Sequence, residues 1–381
     1  MAITTSPSSA QSKRYLWVIS VLMAAVPGLA AIALMKTGNG FWSIAPVIFF
    51  FGIIPVLDTM FGEDPYNPHE DEIETLSGDQ YFRILLFFAV AVFWLSFILA
   101  AIAVSSANIG LGGYIAMAFS AGVASGSALT VGHELGHRQG WLDGKMALIA
   151  NALSGYGHFR IEHNRGHHVM VATPEDHASA RLGESVWRFA FREIPGGIKR
   201  GWHHEKRRLE ARNVGVFSLQ NEILQGYAVT GTVALILISS LGLAVLPFIL
   251  IHHLVAWLQL TFANYIEHYG LKRSKKSNGK YEACQPRHSW NSNHIVSNLS
   301  LFHLQRHSDH HANPNVPYQA LRNFEGLPEL PSGYPGCFVM AAIPPLWFSV
   351  MDKKAFAWAK GDPSLLNLAP HRESFYHAQA V

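Results

Sequence analysis

The chain has 381 residues, only 14% of them charged and 49% hydrophobic, and the apolar ones gather into runs too long for a soluble core. A net charge of +3 with histidine neutral is too small to imply a nucleic-acid partner. Two cysteines, Cys284 and Cys337, exclude a disulfide framework and, lacking C-x-x-C spacing, a zinc ribbon or iron–sulfur site.

A helix needs roughly 20 apolar residues to cross the hydrocarbon core. After a short polar tail (1–14), four such runs follow in the region 15–130: Tyr15 to Met35, Phe41 to Met60, Phe82 to Val104 and Tyr114 to Thr130. The first sits where a signal peptide would, but it is long, contains Pro27 and leads straight into further spans, so it reads as a helix. A polar region, 131–226, comes next. Tyr227 to Ala263 is apolar for nearly twice one span, and Gly242 and Pro247 mark a break, so it reads as two helices joined by a tight turn. The remainder, 264–381, is polar apart from Phe338 to Met351, which is short and holds Pro344 and Pro345; it reads as an interfacial or re-entrant segment.

The expected fold is therefore an all-α integral membrane protein with six transmembrane helices. Lys13 and Arg14 precede the first span, and most other Lys and Arg fall in 131–226 or after Ala263. The positive-inside rule then places both polar regions in the cytoplasm, as a helical cap, with the protein multi-pass in the inner membrane. The loop from Gly62 to Gln80 is acidic, but acidic residues contribute little to orientation.

The 21 histidines are the anomaly, because imidazole suits Fe, Zn, Cu and Ni. His133-Glu134-Leu135-Gly136-His137 stands where the fourth span leaves the membrane, and on a helix its two histidines share a face one turn apart. Glu162-His163-Asn164-Arg165-Gly166-His167-His168 repeats the i, i+4 pair, with an adjacent histidine turned about 100° away, toward a second ion. His307, His310 and His311 do the same, and His268 follows the sixth span. A structural zinc takes about four ligands and a catalytic one about three, so eight or nine histidines argue for two metals. Lone histidines such as His69, His158, His371 and His377 read as solvated or hydrogen-bonded side chains.

His133-Glu134-x-x-His137 also matches the zinc-protease pattern, with Glu134 as base, but that reading leaves the other clustered histidines without work. A metal transporter would need its ligands inside the spans rather than at their mouths.

At these residues the sequence resembles the membrane-bound alkane 1-monooxygenases (alkane hydroxylases), within the wider superfamily of membrane di-iron desaturases and hydroxylases. The resemblance lies in the triple histidine boxes, in Asn264 to Gly270 (NYIEHYG), in Leu304 to His311 (LQRHSDHH), and in the FGEDP and VATPED segments that begin at Phe61 and Val171. His177 stands where the family's pattern has proline, close to the second box, and is read as lying outside the ligand set. The resemblance implies that two non-haem irons are held by His133, His137, His163, His167, His168, His268, His307, His310 and His311. It also implies O2 as oxidant, rubredoxin with an NADH-dependent reductase as electron source, and an alkane entering from the bilayer. The expected reaction converts the terminal methyl of medium- to long-chain alkanes to a primary alcohol; fatty-acyl desaturation or hydroxylation is the alternative.

An unactivated methyl offers no handle to an acid, base or nucleophile, whereas a reduced metal pair that cleaves O2 supplies the reactivity. Metal-bound histidine normally passes its other N–H to a carboxylate or carbonyl, and the candidates here are Glu134, Glu162, Asp176, Glu267 and Asp309. Helices one to four and six are expected to form the substrate slot, with Trp42, Phe50 and Leu57 limiting chain length. His252, inside the sixth span beside His253, is expected to face the bundle interior. Lys199, Arg200, Lys206, Arg207 and Arg208 form a basic stretch suited to an acidic electron carrier or to lipid headgroups.

Overall fold

The computed structural model describes residues 13–379, so most of the polar N-terminal tail lies outside the described residues. Lipid offers no partner for free backbone N–H and C=O groups, so apolar runs of this length must fold as helices. Five are long and apolar enough to span: α1 (Lys13–Thr37), α3 (Gln80–Ser106), α4 (Gly110–His137), α8 (Glu222–Leu241) and α9 (Leu243–His268). The second expected span is a shorter helix, α2 (Ala45–Phe61), preceded by a 3-10 turn at Gly40–Ser43 and interrupted by a π turn at Phe49–Ile53. Among the described residues the only β pairing consists of isolated bridges.

Side-chain caps and φ>0 glycines set several helix ends. Asp79 accepts a hydrogen bond from the Tyr81 amide at the start of α3 (2.9 Å), and Asn221 accepts one from Leu224 at the start of α8 (3.1 Å). Gly38 closes α1 with φ 66° and Gly242 breaks α8 from α9 with φ 85°, as the turn expected there requires. The late apolar segment forms two helices, α12 (Tyr334–Ala342) and α13 (Pro344–Trp358), that meet at 119°; a straight seventh span is not formed.

In a bilayer, helix association depends on close van der Waals packing rather than on hydrophobic burial. Between α4 and α9 the key contact is Gly126, where a Cβ would lie 2.7 Å from Cγ of Gln259; one turn earlier Gly122 meets Val255 in the same way. Both registers rise together, so α4 and α9 run parallel and their C-termini lie at one end of the bundle. The outward faces carry exposed Leu22, Leu29, Phe88, Leu95, Leu235 and Leu250, an apolar belt suited to lipid.

The remaining elements collect at the end where α4 and α9 finish. They include α5 (Trp141–Leu153), α6 (159–170), α7 (Val186–Glu210), α10 (Ile295–Ser300) and α11 (His307–Ala312). Arg83 at the start of α3 pairs with Asp143 of α5, Arg160 of α6 with Glu222 of α8, and the Asp64 amide after α2 donates to the Asn293 carbonyl (2.8 Å). The chain thus returns to this end after each pair of helices.

Candidate metal centre

The helix α4 does not stop at the expected limit of the span, Thr130, but runs two further turns and carries His133 and His137 with it. The second box sits on α6, whose central turn, His163–His167, is π-helical: the His168 amide donates to the His163 carbonyl. This changes the expected pairing. An i, i+5 turn stacks His168, rather than His167, with His163, and His167 is turned to the other side. Gly166 permits the turn to pack, since a Cβ there would lie 3.0 Å from both Arg200 Cδ and Glu162 Oε1. On α11 the α-helical spacing holds, with His307 and His311 together and His310 apart.

The nine expected histidines fall into two groups, each with one nitrogen per residue within 4.8 Å of all the others. His133, His137, His163, His168 and His310 form one; His167, His268, His307 and His311 form the second. Nε2 atoms converge within each: His168 to His163 at 2.9 Å and to His310 at 3.1 Å, His307 to His268 at 3.2 Å and to His311 at 2.8 Å. Two nitrogens about 2.1 Å from one ion and at right angles would stand about 3 Å apart. Nε2 of His133, His137 and His167 are buried without a hydrogen-bond partner among the described residues. Buried imidazoles aimed at one another, with unpartnered nitrogens, fit a pair of metal ions. Burial, reinforced by their histidine neighbours, holds His163, His168, His307, His310 and His311 well below the usual histidine pKa, in the neutral form that binds metal.

The five candidate acids do different things. Asp176 Oδ2 is 2.8 Å from His167 Nδ1 and also accepts from Ser179 Oγ (2.7 Å), while Oδ1 accepts from Arg200 (2.7 Å). Burial alone would raise its pKa, but His167 and Arg200 hold it well below the carboxylate range. Glu267 Oε2 lies 3.2 Å from His307 Nε2, and its other oxygen accepts from Tyr334 (2.9 Å). Glu162 pairs with Arg200 and so braces Asp176 indirectly. Asp309 fixes the following loop through Arg322 and Asn313, and Glu134 pairs with Arg138 at 3.2 Å. Among these, Asp176 and Glu267 touch a clustered imidazole; Nδ1 of His268 faces the His288 carbonyl at 3.2 Å.

Sequence reasoning did not single out Ser179, His288, Arg322 or Tyr334, because none belongs to a histidine box and each reaches its partner through the folding of a loop or helix rather than through helical spacing. Arg200 and Arg208, read as surface cations, point inward to Glu162, Asp176 and Glu205. His177 packs its ring against Gly196, outside both groups. His252 is buried within the bundle, its Nε2 2.8 Å from Ser125 Oγ.

Three residues before His133 on α4 and five before His268 on α9, the two helices line a narrow, mainly apolar cavity. It is lined by Val123 and Thr130 of α4, Leu260 and Ala263 of α9, Leu304, and Phe50 of α2. Of the four residues suggested as substrate contacts, Phe50 lines it; Trp42, Leu57 and His252 are absent from its wall.

Residues 107–339 match the sequence profile of the fatty acid desaturase family. The chain is 46% identical over 364 residues to alkane 1-monooxygenase 1 of Alcanivorax borkumensis, covering 96% of this chain and 90% of that protein. It is 45% identical over 374 residues to alkane 1-monooxygenase of Pseudomonas putida (98% and 93% covered). To the enzyme of the same name from Ectopseudomonas oleovorans it is 47% identical over 360 residues (94% and 90%).

Proposed function

The chain belongs to the fatty acid desaturase family and, within it, to the alkane 1-monooxygenases; from that premise we propose that it hydroxylates the terminal methyl of medium- to long-chain alkanes. The observation that carries this reading is an apolar cavity lined by the same two helices, α4 and α9, that carry His133, His137 and His268 into two groups of convergent histidines. The two groups would each hold one non-haem iron, and the pair would supply reductive activation of O2. Rubredoxin, recharged by its NADH-dependent reductase, is the proposed electron donor. We propose further that the chain is multi-pass in the inner membrane with the histidine end facing the cytoplasm, a reading supported by the basic residues of the polar regions.

The protein's own part is binding, orientation and exclusion of water. The cavity wall offers the alkane dispersion contacts and few polar atoms, so the chain is held by shape. Asp176 and the His288 carbonyl face Nδ1 of His167 and His268 and so fix those two rings with Nε2 turned toward the group. The zinc-protease reading loses support here, since His133 and His137 share their group with three further histidines and Glu134 is paired with Arg138.

Purified protein given dodecane, rubredoxin, its reductase and NADH should produce 1-dodecanol. An alkene as product would favour desaturation and overturn the proposal. Iron analysis should give two Fe per chain, falling toward one in His268→Ala with loss of turnover; normal activity in that variant would remove His268 from the ligand set.

A further inference from the structure

The histidine centre is flanked by a second space of opposite character. A solvent-open cleft runs between the start of α3, the end of α4 and the loop after α11, and is bounded by Ser77, Arg83, Glu134, His137, Asp143 and Val316. His137 and His168 are the only two of the nine clustered histidines that keep partial exposure, and His137 forms part of the cleft wall. Its Nε2 has no hydrogen-bond partner among the described residues. The charges of the wall are already matched: Arg83 holds Asp143 through two contacts of 2.7 and 3.2 Å, and Arg138 holds Glu134 at 3.2 Å. A lining of paired charges and neutral polar groups suits water better than a charged ligand.

Hydroxylation has a need that the apolar cavity does not meet. The balanced reaction is RH + O2 + 2 e⁻ + 2 H⁺ → ROH + H2O: one oxygen atom enters the C–H bond, and the other leaves as water with two protons from solvent and two electrons from a one-electron iron–sulfur carrier. Electrons cross protein without a channel, whereas protons and water need hydrogen-bonding company along the way. Sending them through the alkane cavity would wet the site that holds the substrate.

We infer that the polar cleft is the path by which protons enter and product water leaves the five-histidine group, kept apart from the path of the alkane. The inference rests on the hydroxylase reading and concerns where water travels, not the titration of any one residue.

Ser77→Trp and Val316→Trp plug the cleft from two different segments of its lining, and neither position carries a clustered histidine or lines the apolar cavity. Gln139→Trp, at the rim, replaces either variant if it fails to retain iron. In iron-loaded protein the longitudinal relaxation of solvent water protons by the centre is compared with wild type, alongside turnover in H2O and D2O. The expected result is a several-fold loss of water relaxation and of kcat, a larger solvent isotope effect, and an unchanged KM and product for dodecane. Wild-type relaxation and isotope effect in both plugged variants would overturn the inference, as would a raised alkane KM, which would assign the cleft to substrate. Failure of the wild-type protein to make alkanol would count against the hydroxylase reading instead, and the relaxation comparison would still decide whether water uses the cleft.

Discussion

Asp176→Asn tests whether an outer carboxylate governs one of the two groups, since it changes charge and hydrogen bonding at almost constant volume. Asp176 is 1% exposed and serves His167, Ser179 and Arg200 at once. An amide keeps one acceptor oxygen, so either His167 or Arg200 must face an NH2 group. Losing a hydrogen bond to a charged partner costs roughly 1.5–3 kcal/mol. Removing a carboxylate behind a metal-bound histidine typically weakens metal binding by roughly 10- to 100-fold, or about 1.4–2.7 kcal/mol. Arg200 keeps Glu162 as a partner, so the larger penalty of an isolated buried charge does not apply. Iron content after equilibration with graded chelator, read with Mössbauer spectroscopy, should show one of two irons lost at a 10- to 100-fold lower chelator concentration, roughly the affinity loss above. Two irons retained at the wild-type midpoint would refute the reasoning and leave His167 without a demonstrated role.

Three further outcomes follow from particular contacts. Burial pushes Glu193 up from 4.5 to about 7 despite hydrogen bonds from Thr261 and Asn264, and ionising it in place costs about 3 kcal/mol. Because its folded pKa is the higher, its stability contribution is complete below 4.5 and lost as pH rises through about 7; Tm in detergent should fall over that window and flatten in Glu193→Gln, and parallel curves would dismiss the assignment. Ala263→Phe fills the cavity five residues before His268 and should cost long alkanes roughly 1–3 kcal/mol of overpacking, so kcat/KM for hexadecane relative to octane drops about tenfold or more; an unchanged ratio would move the substrate elsewhere. Tyr334→Phe leaves the buried Glu267 one donor short, which should lower Tm by an amount corresponding to ~1–3 kcal/mol, and a wild-type Tm would show that this hydrogen bond carries no weight.

The sequence disclosed most of the architecture because lipid leaves it little freedom: a contiguous apolar run must be a helix, and the breaks at Gly38 and Gly242 are written in residues that tolerate positive φ. The ligand candidates were legible for a similar reason, since i, i+4 spacing fixes a shared face. Where the backbone departed from α geometry, spacing misled. The π turn at His163–His167 exchanged the partners of His163, and the one at Phe49–Ile53 interrupted what read as an uninterrupted second span. The carboxylates were less legible still: five acids lie near histidines in the chain, yet only Asp176 and Glu267 reach one of the clustered rings, because contact depends on how α7, α12 and the 172–180 loop fold over the helix ends.

The arrangement also bears on why a chain end, rather than its middle, should react. Thr130 precedes His133 by three residues on α4, and Ala263 precedes His268 by five on α9. At 1.5 Å of rise per residue these lining positions lie only about 4.5 and 7.5 Å below the histidines. α4 and α9 run parallel and in contact at Gly126 and Gln259, so they form one wall whose upper end carries clustered histidines and whose lower part offers only apolar surface and a few hydroxyl and amide groups. A linear substrate lying along that wall meets the centre with its tip, and its secondary carbons remain at the depth of the cavity. Secondary C–H bonds are the weaker ones, so a freely exposed chain would react there. On the proposed reading, selectivity for the terminal methyl comes from access along the helix axes and overrides the order of bond strengths.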